Sequence, residues 1–215
     1  MVVLTKNQEI FLKQARAYIK KGWRCIKILA VAGPNGAGKT TLIKGILRKF
    51  PWKFCEVKLI TTGSPHGNDG ARRFVSHREF LREKIVVGWV ADCCESGYSL
   101  QDLTKAVKKN KIIIFEWMFR LEKMREILWK KRIQSMIVGV LPPGNNIQEM
   151  IDALAMRLCQ RIDYCPKDVM KKLLHARNRV IPNILAKAQI ILCGCRGRTI
   201  LNATIIMKKW EEMMQ

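Results

Sequence analysis

Acidic residues are scarce in this 215-residue chain. Asp and Glu number 17 against 40 Lys and Arg, a formal net charge of +23. Such a balance favours anionic partners: nucleotides, nucleic acid or an anionic surface. The cations fall in short runs at 20–21, 72–73, 108–109, 130–132 and 171–172, with no basic tail. A solvated surface explains scattered pairs as well as a polynucleotide partner does. Metal-site spacing is also missing. The eight cysteines form no C-x-x-C, and the three histidines are not spaced with them, which argues against a zinc cluster. Cys25, Cys55 and Cys193 lie in or beside apolar runs, where a free Cys is an ordinary small core residue. Reduced thiols are expected. Cys93–Cys94 and the C-G-C at 193–195 leave a metal or redox role open. No apolar run reaches the ~18 residues of a membrane span. The opening MVVLTKNQEIFLKQ lacks the apolar core of a signal peptide. A cytoplasmic protein is expected. Repeats, linkers and low-complexity tracts are absent.

What is present is a globular composition, 48% hydrophobic and 27% charged. A chain this long can bury roughly 70% of its unfolded surface and needs no staples. It makes one large domain, or one domain with a small appendage. Its most informative stretch is GPNGAGKTT at 33–41. The stretch fits G-x-x-x-x-G-K-[ST], with Gly33, Gly38, Lys39 and Thr40 at the fixed points. An apolar run, CIKILAVAG, precedes it and reads as a buried strand; TTLIKGILRKF follows with Leu42, Ile43, Ile46 and Leu47 at helical spacing. Strand, turn and helix are the context the motif needs. Backbone N–H groups from Gly33, Pro34, Asn35, Gly36, Ala37, Gly38, Lys39, Thr40 and Thr41 (Pro34 lending only its shape) would wrap a nucleotide's phosphates. The helix N-terminus adds partial positive charge. Lys39 is expected to reach the terminal phosphates, and the Thr40 hydroxyl to bind Mg²⁺.

Elsewhere the pattern alternates. Residues 7–22 predict an amphipathic helix ended by Gly22, an addition before the first strand. Residues 53–63 read as one strand, 64–69 as turn-rich, and Ser76 with Glu79 as a capping box opening a helix. VVGWVADCC at 86–94 is a strand or irregular. A helix runs from Leu100 and stops near Asn110, and KIIIFEW at 111–117 suits a buried parallel strand. A helix over 120–132, a strand over 133–144 stopped by Pro142–Pro143, and helices over 146–162 and 166–188 follow, with Pro182 kinking or breaking the last. QIILCG reads as a final strand and 200–214 as a final helix. The alternation predicts an α/β fold with a parallel sheet flanked by helices; residues 59–100 break it and look like an inserted lobe.

GPNGAGKTTL alone is similar to ABC-transporter ATPases, but no LSGGQ-like signature follows, and KIIIFEW lacks the aspartate–glutamate pair. The whole chain from about residue 26 instead resembles the guanylate kinase family. TTGSPHGND at 61–69 and RRFVS at 72–76 stand where that family has T-T-R-x-P-R-x-x-E and an aromatic before Phe-Val-Ser. REFLREKIVVG, Gly97–Tyr98, KIIIFEW, VGVLPPG and ALAMRLCQR follow in the family's order. The resemblance implies a three-layer α/β/α P-loop kinase domain over 23–215, with an acceptor-binding lobe at about 59–100 and a helical lid at about 145–175. It implies ATP and Mg²⁺, with a nucleoside monophosphate, GMP or dGMP first, as acceptor. The departures are specific. Gly63 and His66 replace the family's two acceptor-phosphate arginines, its acceptor tyrosine falls near Arg72, its guanine-reading glutamate near Ala91 or Asp92, and Met118 replaces the second acid, leaving Glu116. Ribose 1,5-bisphosphate phosphokinases are similar in shortening this loop.

Each candidate role has a plain alternative. Arg157 and Arg161 share a helix face, either as catalytic lid arginines or as a solvated basic face. Glu116 either binds Mg²⁺ through water or is an exposed strand end. Arg72 and Arg73 would grip an acceptor phosphate, helped by His66, or form a basic surface loop. Asp69 and Asp92 would bond a guanine edge or a sugar hydroxyl, and Tyr98 would bind a phosphate oxygen or pack. Two other classes stay open: a guanylate kinase-like protein-binding module, against which Lys39 argues, and a P-loop NTPase acting on nucleic acid, which the charge favours.

Overall fold

The computed structural model describes residues 27–63, 72–91, 94–117, 134–160, 165–194 and 197–213. The expected helices at 7–22 and 120–132 lie outside them, as do His66, Asp69, Asp92 and Arg161.

Two sheets carry the fold. The first comprises β1 (Lys27–Ala32), β2 (Phe54–Glu56), β7 (Ile112–Trp117), β8 (Gln134–Leu141) and β9 (Ile190–Cys193). Its order is β2-β7-β1-β8-β9, and every pairing is parallel. A strand buried on both faces sends alternate residues into two cores. In β1, Ile28, Ala30 and Ala32 enter one core and Leu29 and Val31 the other. Helices α1 (Lys39–Lys49) and α7 (Thr199–Glu212) cover the second core with Leu42, Ile43, Ile46, Ile206 and Trp210. On the first core lie α3 (Leu100–Lys108), α4 (Ile147–Cys159) and α6 (Ile181–Lys187), through Leu103, Val107, Leu154, Ile181 and Ile184. The protein is thus α/β, a central parallel sheet with helices on both sides. Each fully buried Ile or Leu contributes about 1.5–3 kcal/mol, so this double core dominates stability.

The second sheet joins β3 (Leu59–Thr61), β4 (Arg72–Phe74), β5 (Ile85–Ala91) and β6 (Cys94–Ser99) in the order β4-β3-β6-β5. Here β6 runs antiparallel to both neighbours, while β3 and β4 are parallel. The single strand expected over 53–63 is therefore two. β2 ends at Glu56 in the first sheet, and after Val57 and Lys58 the chain enters the second. Apolar residues run through both pieces, so composition did not mark the crossing. VVGWVADCC proves a strand as far as Ala91.

Local signals act as expected. At α2 (His77–Arg82), Ser76 Oγ accepts from the Glu79 N–H at 3.2 Å, and the Glu79 carboxylate accepts from the Ser76 N–H at 2.7 Å. Ser99 caps α3 at 3.1 Å. Asn110, just past α3, has φ 51. The helix expected over 166–188 divides. α5 (Pro166–His175) passes through a π turn at Ala176–Val180 into α6, with Pro182 in the first turn of α6. The wider turn accommodates the missing proline N–H and clears its ring from the preceding carbonyls. Cys55, Cys159 and Cys165 are free thiols, but Cys193 is disulfide-bonded, so reduced thiols do not hold throughout. Among the described residues no helix is long and apolar enough to cross a membrane.

Candidate nucleotide and acceptor site

Parallel strands bring their C-terminal ends to one edge, and ligands of open α/β sheets bind there. β1 ends at Ala32 and runs directly into the 33–38 turn. Gly36 and Gly38 take φ 84 and 102, left-handed values that a side chain resists. This geometry turns the loop back on itself, with the Ala37 N–H donating to the Pro34 carbonyl at 3.2 Å. α1 starts without a side-chain cap and without an acid in its first turn. By contrast α2, α3 and α4 each have both. The N–H groups at the start of α1 are thus left for an anion. Thr40 is half-buried and Thr41 exposed in this first turn.

Lys39 is 4% exposed and Glu116 7%, and Lys39 Nζ stands 3.1 Å from Glu116 Oε1. The same Nζ donates to the Pro34 carbonyl at 3.0 Å. Glu116 is placed by register, opposite Val31 on β1. A buried carboxylate needs a cation, and Lys39 supplies one. Arg72, 24% exposed, brings its guanidinium to 4.0 Å from the same Oε1 from the other sheet. Glu56, half-buried at the end of β2, has its carboxyl pushed up by burial; Lys58 and Lys44 oppose this, and Glu116 adds to it. No sequence signal marks Glu56, because nothing in KFCEVKLITTG shows that β2 ends there.

Other lobe residues among those described are committed to neighbours. Arg73, on the opposite face of β4 from Arg72, is bonded to Glu83 and lies 3.8 Å from Asp102. Tyr98 is buried against Phe115, with ring centroids 5.1 Å apart, and its hydroxyl donates to the Glu116 backbone carbonyl. Burial first, and then the Glu116 charge, hold the phenol well above its ordinary value. Thr61 and Ser96 share a hydrogen bond at 2.9 Å, and His77 Nδ1 lies 2.5 Å from Glu95 Oε2.

Arg157 extends from α4 to the P-loop. It donates to the Gly36 carbonyl at 3.2 Å and to the Gly194 carbonyl at 2.9 Å. A Cβ on Gly194 would lie 1.8 Å from the Ala37 oxygen, so only glycine lets the loop after β9 rest on the P-loop. The C-G-C drew notice for its cysteines, while its glycine makes the contact. Beside this junction is a cavity of ≈ 370 Å³ lined by Gly38, Thr41, Arg157, Gln160, Thr199 and Asn202, among others. Asn202 is held there by its Nδ2 bond to the Cys193 carbonyl at 3.1 Å. Nothing in the sequence marked Gln160, Thr199 or Asn202, because their meeting depends on the packing of α4 and α7 about the P-loop.

No group of three or more His, Cys, Asp or Glu able to hold a metal occurs among the described residues. Mg²⁺ beside nucleotide phosphates needs only one or two carboxylates and a hydroxyl. Glu116 and Thr40 fit that donor set, both hard oxygen ligands beside the P-loop.

No family model matches the chain. It is 33% identical over 144 residues to a guanylate kinase of Chlamydia pneumoniae, covering 62% of this chain and 65% of that protein. It is 25% identical over 161 residues to a guanylate kinase of a Synechococcus strain, covering 72% and 82%. The chain thus spans less than two thirds of the length of the first of these relatives. A crystal structure of guanylate kinase from Anaplasma phagocytophilum superposes with a TM-score of 0.57 at 14% identity, over 88% of this chain and 86% of the other. In sequence relatives and in fold alike, the chain is similar to guanylate kinases, and the resemblance read from its motifs holds.

Proposed function

We propose that the chain is an ATP- and Mg²⁺-dependent phosphotransferase of the guanylate kinase type, acting in the cytoplasm. It moves the γ-phosphoryl of ATP to a phosphate oxygen of a nucleoside monophosphate, with GMP or dGMP the first candidate. The observation that carries this reading is the meeting at one buried carboxylate, Glu116, of Lys39 from the P-loop and Arg72 from the second sheet. A donor-side and an acceptor-side cation thus flank one point between the two sheets.

Phosphoryl transfer needs alignment and charge neutralisation more than covalent help from the protein. The bond between the γ-phosphorus and the bridging oxygen of ADP breaks as the acceptor oxygen bonds to that phosphorus. ADP departs with the electron pair. The N–H groups of 36–41 hold the donor phosphates, and Lys39 swings from Pro34 and Glu116 onto the terminal ones. Thr40 and Glu116 are the residues that would hold Mg²⁺, which would supply charge neutralisation to the donor phosphates. The cavity beside Arg157 receives the donor's nucleoside, and Arg72 meets the acceptor phosphate. Lobe closure excludes water, which would otherwise hydrolyse ATP. Arg161, His66, Asp69 and Asp92 remain candidates on the resemblance alone.

A second reading concerns the acceptor. Gly63, in the bend just after β3, stands where the resemblance places a phosphate-holding arginine, and Arg73 is turned to Glu83. This favours another small phosphorylated acceptor, such as ribose 1,5-bisphosphate. The deciding experiment is ADP release with ATP, Mg²⁺ and a panel of (deoxy)nucleoside monophosphates and ribose 1,5-bisphosphate, beside a Lys39→Ala control. Turnover with one acceptor, lost in the control, establishes the kinase and names its substrate. Silence across the panel with ATP still bound would leave a nucleotide-regulated binding module.

A further inference from the structure

The strand order that gathers the nucleotide site at one edge of the parallel sheet sends other elements to the opposite edge. α1 leaves the P-loop and ends there with Arg48 and Lys49, and α3 ends there with Lys108 before the Lys109–Lys111 turn into β7. The turn 51–53 follows α1 directly, and β2 starts level with β7, Phe54 opposite Ile112. Lys53 and Lys111, each just before a paired residue, are therefore neighbours; Lys111 Nζ also donates to the Pro51 carbonyl at 2.8 Å. Six cations, Arg48, Lys49, Lys53, Lys108, Lys109 and Lys111, thus border one short turn. α7 brings two acids to the same pole, Glu211 on Lys53 at 2.8 Å and Glu212 on Lys209 at 3.0 Å.

At the tip of that turn Trp52 is 67% exposed. It is not a loose side chain on a loose loop. Its ring meets Phe50 edge-on at 6.0 Å, and Phe50 in turn packs on the buried Phe54 at 6.3 Å. Lys49 Nζ lies 5.6 Å from the Phe50 centroid. Helix dipoles account for lysines at the ends of α1 and α3. Glu211 pairs with Lys53 and the Pro51 carbonyl holds Lys111, but neither contact nor dipole accounts for a large aromatic ring held open to water among these cations.

We propose that this pole binds single-stranded nucleic acid, the cations following the phosphate backbone and Trp52 stacking on a base. Charge and an aromatic platform together are what sequence-tolerant single-strand recognition requires. Duplex nucleic acid presents no base face to stack on. A membrane surface would call for an apolar stripe, and Trp52 is the one large apolar side chain exposed on this turn. The surface is distinct from the nucleotide site, so the proposal does not depend on the kinase reading.

The test is fluorescence anisotropy of labelled oligo-dT and oligo-rU, about 20 nucleotides long to exceed a typical single-strand site, with the full chain. Binding is expected, with log affinity falling linearly in log salt. Trp52→Ala should weaken it roughly tenfold or more, within the range for one lost base stack. Lys108→Glu with Lys109→Glu should weaken it and flatten the salt slope. Both variants should keep the parent's melting temperature and ATP binding. The proposal is overturned if no strand binds, if Trp52→Ala binds as tightly as the parent, if a duplex binds equally well, or if only anionic lipid vesicles or acidic peptides bind.

Discussion

The two sheets hold their polar groups in opposite ways. On the five-stranded sheet, the groups around the P-loop converge: Lys39, Glu116 and the carbonyls of Pro34, Gly36 and Gly194 are tied together by short contacts, with Arg157 as the clasp. On the four-stranded sheet most polar side chains pair locally, Thr61 with Ser96, His77 with Glu95 and Arg73 with Glu83. Among the described residues, Arg72 reaches across to the shared carboxylate. On the proposed reading, the donor half is built around one short segment, residues 33–41, onto which Glu116, Arg157 and Gly194 converge from distant parts of the chain. On the same reading, the acceptor half is a scaffold whose specificity would rest on a few projecting groups.

Removing the pivot should have the largest effect. Lys39→Ala is expected to lower turnover by at least ~10²-fold, as for loss of a transition-state donor. It also leaves Glu116 buried without its nearest cation, a destabilisation of about 3–5 kcal/mol. Urea unfolding of Lys39→Ala with and without Glu116→Gln separates the two effects: the second substitution should restore much of the stability and none of the turnover. If Lys39→Ala unfolds like the parent, the buried pair is not the hub described here.

Arg157→Gln comes next. Loss of two hydrogen bonds from a charged donor should raise the KM for ATP roughly tenfold or more. The acceptor's KM should move little, because the clasp lies wholly on the donor side. A matched rise in both would erase the distinction between the halves.

Gly63→Arg sharpens the comparison from the other side. A Cβ at position 63 would stand 3.4 Å from Cys94 Sγ, an ordinary contact. An arginine there should lower the KM for a nucleoside monophosphate about tenfold by adding a charge-assisted bond to its phosphate, read by initial-rate kinetics. An unchanged KM would show that the acceptor phosphate sits elsewhere.

Tyr98→Phe probes the seam. It removes the bond to the Glu116 carbonyl and should cost about 0.5–1.5 kcal/mol in urea unfolding. The Tyr98 phenol titrates higher folded than unfolded. Its contribution is therefore intact below the ordinary pKa of 10.0 and fades as pH rises above it. The parent should lose more stability than Tyr98→Phe between pH 9 and 11, values that bracket that pKa by about one unit.

The smallest effect is expected at α2. Ser76→Ala should cost about 1 kcal/mol through the lost cap. Glu79 is held below its ordinary 4.5 by the Ser76 backbone and hydroxyl. Its contribution is present above 4.5 and fades as pH falls through the lowered value. Ser76→Ala should flatten that acid limb only in part, because alanine keeps the backbone N–H that makes the larger bond to Glu79.

Much of the donor half was legible because its information is local. GPNGAGKTT fixes turn, helix start and lysine within nine residues, and both flanks carry the right periodicity. Ser76 and Glu79 announced their cap for the same reason. The lobe was less legible. Nothing in KFCEVKLITTG marks where the chain leaves one sheet for another, so Glu56 went unnoticed. Arg72 and Arg73 look alike in sequence, and only the pleat of β4 sends one to Glu116 and the other to Glu83.

By itself, then, the sequence determined the α/β alternation, the phosphate-holding turn, the helix caps and the excess of positive charge. These depend on neighbours along the chain and on periodicity. Tertiary structure decided which side chains meet: Lys39 with Glu116 and Arg72, Arg157 with Gly36 and Gly194, and the basic residues with Trp52 at the far pole. Those meetings depend on strand order and register, which bring together residues tens of positions apart and which no local pattern records.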